Sequence, residues 1–200
     1  MKWHETEEIL QKHGLTVFSS EEFRRATGFS EASVKHLLIR YVRKRLFLKL
    51  KARRGIYCLK SRPPHPWRLA NRLLQPSYVS LETALAHYGI IPESVYAVTS
   101  VTPKITRSFE AMNLSFLFHH IKKEAYVGYR PMEVQGETVL VGEPEKAMAD
   151  YLYFVHLGKK VLNDRIRWNR LKVKLVIQYL EYFAREGLVE WGRNAIRERH

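Results

Sequence analysis

Acidic side chains are missing from the segment that carries nearly all of this chain's charge imbalance. Ala32 to Leu81 is fifty residues without an Asp or Glu, yet it holds thirteen Lys or Arg. The net charge of +14 divides into −2 for residues 1–31, +13 for this segment and +3 for residues 82–200. A field of one sign concentrated in this way costs folding energy through self-repulsion and attracts a polyanion. Cysteine is almost absent too: Cys58 stands alone, which excludes an intramolecular disulfide and fits a reducing cytoplasm. No apolar stretch approaches the ~20 residues that a membrane-spanning helix needs, and Met1 to Glu8 lacks the apolar run of a signal peptide. The expectation is a cytoplasmic protein with no membrane partner.

Motifs that carry chemistry are equally scarce. The chain has no glycine-rich phosphate loop, no His-Glu-x-x-His, no cysteine spacing for a metal and no Gly-x-Ser-x-Gly turn. His119 and His120 are adjacent, and neighbours on a strand point to opposite faces, so they do not form a metal pair. Glu145 and Asp150 are five apart, which does not align them on one helix face, and Asp150 reads as a structural hydrogen-bonding residue. A nuclease or nucleotidyltransferase would need a carboxylate cluster for metal. We therefore expect no catalytic activity, no cofactor and no metal.

What is present points to nucleic acid. A short helix is expected over Thr6 to His13, ending at Gly14. Val17 and Phe18 read as extended, and Ser19-Ser20-Glu21-Glu22 is a capping box opening a helix that ends near Gly28. Ser30 caps the next helix, whose apolar positions Val34, Leu37, Leu38, Tyr41 and Val42 recur at three and four residues. Leu46, Leu48 and Leu50 then alternate with Phe47, Lys49 and Lys51, a turn follows at Ala52 to Gly55, and Ile56 to Lys60 returns as a second strand. Helix, strand, helix, turn, helix and basic hairpin is the order of a winged helix-turn-helix. In that arrangement Ser33, His36 and Arg40 reach base edges, while Lys35, Arg43 and Lys44 on the helix and Lys49, Lys51, Arg53 and Arg54 on the hairpin neutralise phosphates. The expected partner is double-stranded DNA carrying inverted repeats. The competing reading is a winged-helix module that binds protein or RNA, and a lone His36 beside an apolar stripe weighs less than the cations.

Ser61-Arg62-Pro63-Pro64-His65-Pro66 cannot continue a helix interior or a strand ladder, so it is read as the boundary between domains at 1–62 and 67–200. Arg62, Arg68 and Arg72 fall in or beyond it and need not touch DNA. Helices are expected from Trp67 to Leu74, Leu81 to Tyr88, Pro144 to a stop at Gly158, and Lys172 to Arg185. Strands are expected over Val95 to Val101, Leu114 to Phe118, Ala125 to Tyr129, and as a hairpin of Met132 to Val134 with Thr138 to Val141 around Gln135-Gly136. The tail from Arg193 to His200 reads as frayed. The predicted fold class is α+β throughout, with a winged helix followed by a mixed effector domain.

Three stretches carry a family resemblance: the hairpin ending Arg54-Gly55-Ile56-Tyr57, the segment Pro76 to Leu85 with Tyr88-Gly89-Ile90-Ile91-Pro92, and Gly142-Glu143-Pro144-Glu145-Lys146-Ala147-Met148-Ala149-Asp150. Together the chain resembles, from about Phe18 to Leu157, the AbiEi-type antitoxin and transcriptional regulator family of type IV toxin–antitoxin and abortive-infection systems. Arg62 to Pro66 and Asp164 to Trp168 have no counterpart in it. The resemblance implies an N-terminal winged helix that represses its own operon and a C-terminal domain that counters a nucleotidyltransferase toxin, without a stable toxin complex being required.

Overall fold

The computed structural model describes residues 1–50 and 55–198. Its first part runs α1 (Trp3–Lys12), β1 (Val17–Ser19), α2 (Ser20–Thr27), α3 (Glu31–Arg43), β2 (Phe47–Lys49) and β3 (Ile56–Leu59). The boundaries follow local chemistry. Ser19 accepts from the Glu22 amide at 3.1 Å while the Glu22 carboxylate accepts from the Ser19 amide at 2.7 Å, so α2 opens on the reciprocal cap its sequence predicts. Gly28, at φ +70°, ends the same helix in the left-handed conformation that glycine adopts without a Cβ penalty. Ser30 then accepts from the Ser33 amide to open α3.

β3 pairs antiparallel with both neighbours, giving the order β1-β3-β2. All four residues of β3 are buried, so this small sheet is covered on both faces. Phe18, Phe47, Tyr57 and Leu59 join Leu10, Phe23 and the α3 stripe of Val34, Leu37, Leu38 and Tyr41 in one core. Val17, Ile56 and Cys58 instead join the core of the rest of the chain. The two cores thus share a sheet, and the first part is seated on the second through an apolar face. Burial also pushes the Cys58 thiol up to about 11, which keeps it protonated and unreactive.

The second part begins with α4 (Pro66–Leu73), whose opening proline occupies a position where its missing amide costs nothing. There follow β4 (Tyr78–Val79), α5 (Leu81–His87), β5 (Val98–Thr102), β6 (Arg107–Ala111), β7 (Leu114–His120), β8 (Tyr129–Val134), β9 (Glu137–Gly142), α6 (Pro144–His156), α7 (Val173–Glu181) and α8 (Leu188–Arg197). The six strands form one mixed sheet in the order β6-β7-β5-β4-β9-β8. β8 and β9 are joined at Gln135 (φ +51°) and Gly136 (φ +76°), the pair of positive angles that a two-residue hairpin turn requires. α4 packs on β9, β4 and β5, and α6 packs on α5, α7 and α8.

Three expectations are corrected. Ala125 to Tyr129 is not a strand: a single 3-10 turn covers Lys123–Ala125, and β8 starts only at Tyr129, after Gly128 turns the chain at φ +68°. β6, unforeseen, is one of the two edge strands of the larger sheet. The final predicted helix stops at Glu181 because Ala184 takes φ +43°, and the chain re-forms α8 beyond Gly187, which carries helix on to Arg197 through residues expected to be frayed from Arg193. α8 is held against α7 at Gly192, where a Cβ would lie 2.6 Å from a Leu180 methyl. Asp164 to Trp168 also acquires a structural role. Ile166 and Trp168 are buried, the Arg167 amide donates to Ile90 O at 2.8 Å, and the Arg170 guanidinium donates to Tyr88 O at 3.1 Å, so this segment caps the C-terminal end of α5.

Candidate nucleic-acid interface

The basic surface is built on α3. Because its stripe of Val34, Leu37, Leu38 and Tyr41 faces the core, the opposite side is fixed in solvent. At ~100° per residue, Ser33, His36, Arg40 and Arg43 fall within about 80° of one another on that side. Each of them is exposed, as are Lys44 just past the helix end and Lys49 on β2. Lys35 is rotated away and lies instead in the groove lined by Glu21, Arg24, Glu31 and Lys49. Among the described residues, no salt bridge uses Lys35, Arg40, Arg43, Lys44 or Lys49. Lys51, Arg53 and Arg54, predicted for the hairpin tip, lie outside the described residues.

Two predicted base-edge residues have local partners. One Arg40 guanidinium nitrogen donates to Met1 O at 2.9 Å, and the group lies 5.1 Å from the Tyr41 ring centroid, which steadies it at the N-terminal end of α1. The Ser33 hydroxyl accepts from the Ser30 hydroxyl at 3.0 Å. Beside them the surface is not wholly polar: Phe29 and Ile39 are 37% and 43% exposed and line one shallow depression with Ser33, His36, Arg40 and Arg43.

The cations after the hairpin go elsewhere. Arg72 forms an ion pair with Glu22, tying α4 to α2. Arg68 donates to Thr138 O at 3.1 Å. The Glu137 carboxylate accepts from the Thr16 hydroxyl on one oxygen and from the His65 amide on the other, clamping the β8–β9 turn onto the first part of the chain. Arg62 lines a cavity of about 360 Å³ at the same seam. Thus the acid-free stretch divides, with Lys35 to Lys49 facing solvent and Arg68 and Arg72 engaged in holding the two parts together.

Asp150, expected as a structural hydrogen-bonding residue, is one, and it belongs to a buried charged cluster whose other member, Lys146, was not expected. Lys146 and Asp150, one helical turn apart on α6, are completely buried and ion-paired, and the second Asp150 oxygen accepts from Ser80 at 2.7 Å and Tyr78 at 3.0 Å. Burial pushes the Asp150 carboxyl up and the Lys146 ammonium down, each toward its neutral form, while their mutual attraction and the Asp150 hydrogen bonds oppose this. Lys146 also lies 4.7 Å from the Phe183 ring centroid. Nothing in this arrangement opens to solvent, so it joins β4 to α6 and presents no reacting atom. The signal was the i, i+4 spacing of Lys146 and Asp150; the two hydroxyls, some seventy residues earlier, had none.

His119 and His120 point to different surroundings, as adjacent strand residues must. The His119 ring packs 5.1 Å from Phe154, and His120 Nδ1 lies 3.0 Å from Lys104 O. Among the described residues, no group of three or more His, Cys, Asp or Glu is arranged to hold a metal ion, and no helix is long and apolar enough to cross a membrane. No family model matches the chain, and no curated protein matches it.

Proposed function

We propose that this protein is a DNA-binding transcriptional regulator whose residues 1–62 act as a winged helix, with α3 entering the major groove and the β2–β3 hairpin lying along the phosphate backbone. One observation carries the reading: the solvent side of α3 presents Ser33, His36, Arg40 and Arg43 together, and among the described residues no salt bridge uses Arg40 or Arg43. Unpaired cations on a helix fixed from behind by its apolar stripe are arranged to exchange counterions for phosphates. The family resemblance extends the proposal. The chain acts as the autorepressing antitoxin of a type IV toxin–antitoxin system, opposing a nucleotidyltransferase toxin by its second part without a stable complex.

Binding to the promoter of its own operon, resolved by electrophoretic shift, tests the first half. An inverted-repeat duplex is expected to compete and a scrambled duplex of equal length is expected not to. Growth rescue on co-expression with an adjacent nucleotidyltransferase gene tests the second half. A second reading has its own support: Phe29 and Ile39 give the α3 surface an apolar component suited to docking a protein. Equal competition by the scrambled duplex, or no shift at low salt, favours that module over the regulator.

A further inference from the structure

Two of the four residues at the centre of the α3 face are apolar. At ~100° per residue, the buried stripe of Val34, Leu37, Leu38 and Tyr41 has its mid-line about 180° from that of Ala32, His36, Ile39 and Arg43. Those four residues therefore form the row that projects furthest from the body of the protein, and all four are exposed. Ser33 and Arg40 lie to one side of the row, roughly 70–90° from its mid-line, and Lys35 lies about 70° to the other.

Ile39 stands on a crest of this surface. It borders the shallow depression that holds Phe29, Ser33, His36, Arg40 and Arg43, and also the groove that holds Glu31, Lys35 and Lys49 on the other flank of the helix. A side chain that borders both hollows separates them, and Ile39 is 43% exposed there. Ala32, two turns earlier on the same row, has no side chain beyond its Cβ, so the N-terminal half of α3 can approach a flat surface closely. The polar residues beside the row are drawn aside: Arg40 donates to Met1 O at 2.9 Å, and the Ser33 hydroxyl accepts from Ser30.

We propose that α3 selects thymine, with Ile39 seated against the 5-methyl group of a T·A pair in the major groove. That methyl is the apolar group a base pair presents there, while the other base edges present hydrogen-bond donors and acceptors. Against the methyl, Ile39 removes apolar surface from water; against a G·C pair it covers polar atoms and returns no hydrogen bond to them. Lys35 beside the row and Arg43 and Lys44 at the helix end supply phosphate contacts, so affinity and base preference come from different side chains of one helix. The inference rests on the regulator reading of α3 and adds the base that it selects.

Removing only the methyl group tests this. The promoter of the protein's own operon is amplified once with thymidine triphosphate and once with deoxyuridine triphosphate, giving duplexes that share every major-groove hydrogen-bonding atom. The full chain is expected to bind the thymine duplex more tightly, by about fourfold for each methyl contacted, and single thymine-to-uracil replacements are expected to place the loss at one position per half-site. Ile39→Ala removes no charge and puts a better helix former at an exposed position, so it is expected to fold like wild type and to keep the salt dependence of binding. Its preference for thymine over uracil at that position is expected to fall below about twofold, while Ile39→Val keeps a preference closer to that of wild type. Thermal unfolding checks both variants, and if Ile39→Ala does not fold, the single uracil replacements in wild type decide. Salt-dependent promoter binding by wild type that is indifferent to thymine or uracil overturns the inference and leaves the regulator reading standing. A thymine preference that folded Ile39→Ala retains in full does the same, whereas absence of any promoter binding overturns both.

Discussion

Glu22 of α2 is ion-paired to Arg72 of α4, so the acidic residue that caps a helix in the first part of the chain is also the anchor of the second. Burial works against the Glu22 charge, but the Ser19 amide, Arg72 and the Ser19 hydroxyl outweigh it and hold the carboxyl below its ordinary range. The pair lies next to the doubly covered sheet of Val17, Ile56 and Cys58, where polar and apolar contacts act on the same seam. A double-mutant cycle with Glu22→Gln and Arg72→Ala, read by urea unfolding, should give a coupling energy of about 1 kcal/mol. Additive single changes would mean that the ion pair does not join the two parts.

Asp150 has a larger expected effect. Asp150→Ala leaves the Lys146 ammonium buried without its counter-charge, and removes the acceptor of both Tyr78 and Ser80. Stability should fall by roughly 3–5 kcal/mol, whereas the double change Lys146→Met with Asp150→Leu should recover most of that loss. A single change costing under about 1 kcal/mol would contradict the burial of this cluster.

Gly128 is required twice. Its φ of +68° is unfavourable for a residue with a Cβ, and a Cβ there would stand 2.6–2.8 Å from the Tyr179 ring, whose hydroxyl donates to Glu143 at 2.8 Å. Gly128→Ala should cost about 1–3 kcal/mol, and a lower thermal midpoint at unchanged far-ultraviolet circular dichroism is the expected observation.

His119 gives the protein a defined acid sensitivity. Burial, then the charges of Lys160 and Lys159, hold its imidazole below the ordinary 6.5, and only Glu82 opposes them. A group whose folded value is depressed contributes stability that is whole above its unfolded value and is lost as pH falls toward the folded one. The stability difference between wild type and His119→Gln should therefore be constant at pH 7–8 and shift against wild type below about pH 6.5. A difference that shifts in favour of wild type on acidification would reverse the sign of this account.

Local chemistry made much of this legible. The capping residues Ser19, Glu22 and Ser30 and the left-handed Gly28 mark the ends of α2 and α3 in the sequence, and the α3 stripe fixes which cations face solvent. Long-range burial was harder to read. Ile56-Tyr57-Cys58-Leu59 is a continuous apolar run, the pattern of a strand covered on both faces, but nothing local says that Ile56 and Cys58 join the core of the second part. β6 was missed because an exposed edge strand such as Arg-Ser-Phe-Glu-Ala needs no apolar stripe. α8 was hidden by its charges and Gly192, although Leu188, Ala195 and Ile196 are buried along it. Sequence order likewise could not assign Arg72 to Glu22, fifty residues away, or Asp150 to Tyr78 and Ser80.

The central claim, that the α3 face grips duplex DNA, is tested most directly by the salt dependence of promoter binding in wild type and in Arg43→Ala/Lys44→Ala. With about six phosphates neutralised, log affinity should fall against log salt with a slope near −5, and the double variant should bind more weakly with a slope shallower by about 2. A wild-type slope near zero, or a variant that keeps the wild-type affinity and slope, would contradict it.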